Sequence, residues 1–466
     1  MKIISNDTFT LKSIMFKKFL NYPVFFVIVL SIIGSILYGS LLRHHYNGGE
    51  KFKSLQKIAV FFAEIPSNFK FIIRNKVIHG DVIEPISKKV YKTKKVFEKK
   101  LDTIDKKELI IISRYDGDLG RSIVEIRDLN NFEILHTYLP QVEKIYEKID
   151  PDELENGRFI NLKNTLGLNR FYMWHPAITE NGDLIFHSES PLVKINYDGK
   201  VIWVNDDDTY HHSINLDLNE KIYVPSYSNP LSPKVAKFVG NGLFFDDKIN
   251  IINKNGKIIF SKSVTEIFIE NGLIARIFSQ QQFINDPLHL NDIQPVLSDS
   301  KFFKKGDLFL SLRNLSMVIL YRPSTNKIIK IIEGNFFNQH DVDIIDDKRI
   351  SIYNNNVFID SENNRNVTNS EIIIYNFESD KFSKKFEETF KKNKIYGHSH
   401  GLVDFLKDGS AIIEDSMYGR ILYVNPNGKV IWEFNNLDSK KQIYHLWWAR
   451  IMNEEKSKKF RKKMNK

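Results

Sequence analysis

Seven of the 13 histidines in this 466-residue chain stand at one recurring place, just ahead of a short apolar run. They are His175 in "WHPAITENGDLIF", His211 and His212 in "YHHSINLDLNEKIYV", His289 in "LHLNDIQPVL", His340 in "NQHDVDIIDDKRISIYN", and His398 and His400 in "GHSHGLVDFLKDGSAII". In four of these five segments the apolar run resumes about ten residues after the histidine, and the His289 segment carries an insertion. Neutral imidazole acts as a nucleophile or a proton-transfer group near neutral pH. Arg313, in "LSLRN" after His289, is a permanent fork-shaped cation suited to sulfate, phosphate or carboxylate. Asn291 adds a polar group two residues past His289. Histidine plus arginine without a cage of carboxylates points to an anionic substrate group more than to a bound cation, although three histidines also satisfy a zinc site. Asp341, directly after His340, can orient a ring or simply form a turn. A single histidine of this kind is better read as a cap on a neighbouring backbone group. Five converging segments are not, because titratable rings packed together lose solvation and repel one another unless they hold something.

Convergence requires a repeated scaffold, and the sequence contains one. A strand, a polar turn and a second strand recur six times, at 123–138, 193–203, 249–260, 318–332, 371–386 and 421–434. Asp-Gly and Asn-Gly at several of the turns supply the positive φ that tight hairpins need. Each hairpin is expected to form the outer half of a four-stranded unit. Six such units of roughly 40–60 residues predict an all-β, six-bladed β-propeller over 107–440. The first strand of a blade lines the central channel, so histidines at one phase of five blades gather at one end of it.

The rest of the chain reads as an anchor and connections. Residues 22–42, "YPVFFVIVLSIIGSILYGSLL", run without a charge and are long enough to cross a bilayer. They exceed the apolar core of a usual signal peptide, so a retained transmembrane anchor is expected. Lysines 12, 17 and 18 precede the span, which places 1–21 in the cytoplasm and the bulk of the chain outside, although Arg43, Lys51 and Lys53 weaken the asymmetry. Residues 43–106 read as a helical or mixed linker, and 441–466 as a C-terminal helix and basic tail, with "LWWAR" packed on the propeller rim. The Asp206-Asp207-Asp208 run reads as a solvated turn, and the "FFKKGD" insertion is expected to shape the channel mouth. The net charge of +10 sits largely in end and linker runs, at 88–100 and 456–466. The propeller lacks the interleaved basic and aromatic residues of a nucleic-acid face. With no cysteine, disulfides and thiolate chemistry are excluded.

The motifs "HHSI", "LHLND", "SLRN" and "QHDV", in that order on six blades, resemble the bacterial arylsulfotransferases of the PAPS-independent type. The resemblance spans roughly 108–435 and is most specific from 288 to 356. It implies a periplasmic enzyme at the inner membrane that moves a sulfuryl group from an aryl sulfate to a phenolic acceptor without a cofactor. The reaction would be ping-pong, through a sulfohistidine. His340 would be the nucleophile, His289 and Arg313 would hold the sulfuryl oxygens, and His212 would assist binding or proton transfer. Asn291, His400, His398, His211 and His175 are then expected to line the substrate site, with no metal. The chain departs from the family in having Ser213 where an acid often follows the double histidine, in lacking a cysteine pair, and in carrying His398 and His400 in its last blade. Two other readings stand beside this one: a metal-dependent propeller lyase or hydrolase, and a non-enzymatic membrane-anchored binding propeller. The sequence does not speak to oligomeric state.

Overall fold

The computed structural model describes residues 23–46, 51–72, 86, 95–102, 105–152, 171–188, 190–279, 283–360, 362 and 365–464. The expected cytoplasmic segment 1–21 and residues 88–94 of the basic run lie outside the described residues. The chain divides into two compact units, Met1–Asp81 and Val82–Lys466. In the first, an apolar helix Pro23–Tyr46 is followed by a helix Lys53–Ile72 with Pro66 in its interior. The span Val24–His45 is long and apolar enough to cross a membrane, a property that a membrane anchor and a signal sequence share.

The second unit is a ring of six antiparallel sheets, each built on four strands. Every hairpin expected from the sequence forms the outer half of one blade. Alternation within the strands shows what holds the ring together. In the fourth blade Leu308, Leu310, Leu312, Met317, Ile319 and Tyr321 face the third blade, while Phe309, Val318 and Leu320 face the fifth. With a side-chain period of two, each central strand supplies both of its neighbours. The result is one apolar cluster at each of the six interfaces.

Ring closure corrects the reading of the C-terminus. The "LWWAR" segment is not a rim helix. It lies in the strand Leu446–Met452, the innermost of the first blade, paired antiparallel with Leu109–Asp116. The chain therefore joins its end to its beginning, and the helix Glu454–Met464 follows only after that. The linker reading also ends early. Phe97–Lys99 adds a fifth strand to the sixth blade, where Phe97 stacks on Phe132 at 4.8 Å and packs beside the buried Trp432.

Inner strands expose unpaired N–H groups toward the axis, and side chains of the preceding blade take them up. The Ser213 hydroxyl accepts from Ile293 N at 3.1 Å and Asp292 from Val342 N at 3.0 Å. Asp341 accepts from Val403 N at 3.1 Å and Asp404 from Ile451 N at 2.7 Å. Asp341 is therefore a clasp between the fifth and sixth blades rather than the group that orients the His340 ring. Asp208 is likewise no solvated turn residue. It is buried and holds Ser226, Asn250 and Lys248 at 2.9, 2.8 and 2.6 Å.

Candidate active site

Two positions per blade meet at one end of the channel: the start of the inner strand and the end of the second strand, which pair side by side. His289 precedes the inner strand Leu290–Pro295, and Arg313 follows the second strand Leu308–Leu312, with Arg313 N bonded to His289 O at 3.1 Å. His340 opens His340–Ile344, and Asn355 follows Arg349–Asn354. The "FFKKGD" loop joins Pro295 to Leu308 and so lies at the opposite end of its blade, away from the histidines. It does not shape the mouth on the histidine side.

Backbone geometry turns the rings inward. His175, His212 and His289 have positive φ values of 47°, 54° and 55°, and Asp341 and Gly401 take the same sense at 48° and 131°. Non-glycine residues adopt this conformation at a cost, and such outliers gather at functional sites. At Asn291 and Asp341 the strand pairing shifts by one residue, a bulge that re-aims the neighbouring side chain.

The rings converge as the repeat predicts. His212 lies 4.8 Å from His289 and 6.5 Å from His340 between ring centroids, and His340 lies 6.2 Å from His400. His175 packs against Trp448 at 4.0 Å and faces His187 at 6.1 Å. His211 turns away from the centre. Its ring stacks on Tyr227 at 4.1 Å, and its Nε2 sits 3.2 Å from Asp247, near enough for attraction but out of line for a hydrogen bond. It meets His212 through Nδ1 atoms 2.8 Å apart. His398 is half-buried and shows no ring contact with the group among the described residues. Asn291 is buried behind the site, donating to Gln339 O at 2.7 Å. Among the described residues no three histidines or acidic residues meet in metal-ligating geometry.

The hydrogen bonds assign one tautomer without ambiguity. Asn355 Nδ2 donates to the carbonyls of Gly397 and His400 at 3.0 and 2.9 Å, so its Oδ1 must be the atom that faces His340 Nδ1 at 2.5 Å. An amide oxygen only accepts, so Nδ1 carries the proton and Nε2 the lone pair. Burial, then the Arg313 cation and His400, hold the His340 pKa well below its ordinary value. The ring is therefore neutral and nucleophilic at and below neutral pH. Burial does the same to His175 and His212, each reinforced by the neighbouring histidines. His400 is open to solvent at the mouth by surface area yet walled by protein, and burial, then His445 and Arg313, push its pKa down. His289 donates Nδ1–H to the Asp286 carboxylate at 2.6 Å, which fixes its ring in turn.

Asn355, Asp286 and His187 stand outside the recurring histidine motif. His187 sits at the end of its blade's second strand and bonds His212 O at 2.7 Å. The signal that finds Asn355 and His187 is the one that marks Arg313, namely a polar residue closing the second strand's apolar run.

Farther along the channel stands a second set of groups. Asp292, Asp341, Asp343 and Asp404 share this region with Arg450. Burial first, then the facing carboxylates, raise Asp343 well above the usual range, and Asp404 is pushed up to about 6. A carboxyl whose folded pKa is raised carries no penalty below the unfolded value. The penalty grows as pH rises through the folded one. Asp343→Asn should therefore raise Tm by a few degrees at pH 8 and by nothing at pH 4, a trend that calorimetry across pH checks directly.

Comparison with known proteins places these features. A family model described as arylsulfotransferase (ASST) matches residues 175–437. No curated protein matches the chain. Among solved structures, a protein of unknown function from Bacteroides caccae is 12% identical, covering 74% of this chain and 99% of its own at a TM-score of 0.45. TolB from Acinetobacter baumannii is 10% identical over 74% and 66%, TM-score 0.42. Virginiamycin B lyase from Staphylococcus aureus is 14% identical over 56% and 69%, TM-score 0.29. At these identities and scores the three say nothing about chemistry.

Proposed function

For a chain that belongs to the arylsulfotransferase family, we propose a sulfuryl transfer from an aryl sulfate ester to a phenolic acceptor through sulfated His340. The observation that carries the reading is the fixed tautomer of His340 beside Arg313. In the first half-reaction the Nε2 lone pair attacks sulfur, the sulfur–oxygen bond to the aryl group breaks, and phenolate departs. Asn355 keeps its hold on the Nδ1 proton, so the sulfated ring is a cation, and its nitrogen–sulfur bond is primed for the second displacement. In that step the acceptor oxygen attacks sulfur, the nitrogen–sulfur bond breaks, and His340 returns to its neutral form. His212, held neutral by burial, is the group to take the acceptor's proton. Arg313 supplies the positive charge that the three sulfuryl oxygens need as the bonds exchange, and His289 stands beside it. No cofactor enters either step.

The apolar span Val24–His45 fits a single-pass anchor with the propeller on the periplasmic side of a bacterial inner membrane. A protease-protection assay on spheroplasts tests the side.

The reading is tested by phenolate release from 4-nitrophenyl sulfate, which should depend on an added phenol. Asn355→Ala frees the His340 ring to adopt the other tautomer and to rotate. It should lower the rate of the first half-reaction by about 10- to 100-fold, the cost found when the orienting partner of a metal-ligating histidine is lost, and leave the affinity for the donor nearly unchanged. In the wild type the depressed His340 pKa predicts a burst rate that holds as pH falls through 6.5, where an unshifted histidine would already be losing its lone pair.

A further inference from the structure

A cleft of about 580 Å³ between the fourth and fifth blades reaches the histidine group at His289 and Arg313. Its polar lining is His289, Arg313, Arg276, Asp286, Asn314 and Asn338, and its apolar part is chiefly Ile284, Leu315, Phe337, Phe358 and Ile359. Ile284, Phe337, Phe358 and Ile359 are 47%, 46%, 43% and 61% exposed, although each is large and hydrophobic. Two of them stand on a short extra strand, Val357–Ile359, inserted between the second and third strands of the fifth blade and paired with Arg365–Val367. The ring does not need that insertion for closure. It builds a wall.

We propose that this cleft holds the organic body of the sulfuryl acceptor, and that the acceptor is a phenol carrying a polycyclic or long apolar substituent rather than a single ring. The proposal rests on the sulfuryl-transfer reading for the direction of the chemistry. Three observations carry it. The volume lies in the range of pockets that enclose drug-sized ligands and is far larger than one phenol ring requires. The apolar side chains share the cleft with Arg313 and His289, so a hydroxyl at that end would lie beside the sulfuryl group while the body stays against the apolar part. The exposed aromatic and aliphatic side chains on both walls gain burial only when something apolar lies between them, at about 25 cal/mol per Å².

The test pairs turnover with binding. With 4-nitrophenyl sulfate as donor, kcat/KM is measured for phenol, 2-naphthol and a tetracyclic phenol, and the affinity of the tetracyclic phenol is measured by calorimetry without donor. The wild type should favour the tetracyclic phenol over phenol by tenfold or more. In Phe358→Ser and, from the opposite wall, Ile284→Ser, that ratio should fall toward one and the affinity should drop about tenfold. Two wall residues from separate segments guard against a local folding defect in either. A wild-type ratio near one, or a ratio and affinity unchanged in both variants, overturns the proposal. Binding that is lost in the variants without any sulfuryl transfer in the wild type would keep the cleft and discard the sulfuryl reading. Transfer with no size preference and no binding would do the reverse.

Discussion

His340→Ala should lose the first half-reaction altogether, with phenolate release from 4-nitrophenyl sulfate falling by about 10⁴-fold or more. The size follows from the role. His340 is the one ring in the group whose tautomer is dictated by a rigid amide, through Asn355 Oδ1 at 2.5 Å. Its neighbours are placed differently: His212 meets His211 through their Nδ1 atoms, and His289 lines the cleft beside Arg313. Loss of fold is a poor alternative explanation, because the side chain belongs to the channel and not to any of the six apolar clusters. Circular dichroism and Tm of the variant should match the wild type within a few degrees. Added imidazole, entering the space left by the ring, should restore some release.

Arg313→Ala is expected to have the second largest effect, about 10²–10³-fold in the rate of sulfation, the cost of removing a preorganised group that stabilises charge in transfer. Arg313 is only 8% exposed, held at the end of its strand by the backbone bond to His289 and by a 2.8 Å side-chain bond to Asn314. Lysine should recover only part of the loss, since a point charge cannot present two parallel donors to two oxygens. The pH profile should move as well. The Arg313 cation is one cause, after burial, of the depressed His340 pKa. Removing it lets that pKa rise, so the acid limb of the burst rate shifts to higher pH in the alanine variant and less in the lysine variant. A purely structural role for Arg313 would leave the limb in place.

Much of the architecture was legible because it repeats. Six hairpins with the same turn chemistry announce six blades, and a histidine at one phase of the repeat announces where the side chains meet. What the repeat does not carry was not legible. The closing strand Leu446–Met452 belongs to a blade whose other three strands lie more than 300 residues earlier, and its tryptophans look like rim residues until Leu109 is seen pairing with Met452. Asn355 and His187 do not stand out in the sequence because they lie off the inner strand, at a second polar position across the ladder, at the end of the next strand. Arg313 occupies that position too, and an arginine closing an apolar run is conspicuous where an asparagine is not. His211 and His398 show the converse. They satisfy the motif, yet one is committed to Tyr227 and Asp247 and the other stands apart from the rings. Spacing along the chain does not say which way a ring faces.

Passage of sulfur through His340 is tested by mixing the purified protein with 4-nitrophenyl sulfate in the absence of acceptor, quenching in alkali, digesting, and mapping the added mass. One equivalent of phenolate should be released in a burst, with one sulfuryl group on the peptide containing His340, and that group should be lost when a phenol is added before the quench. A burst with the sulfuryl group on His212, His289 or His400, or acceptor-dependent release with no covalent intermediate at all, would contradict it.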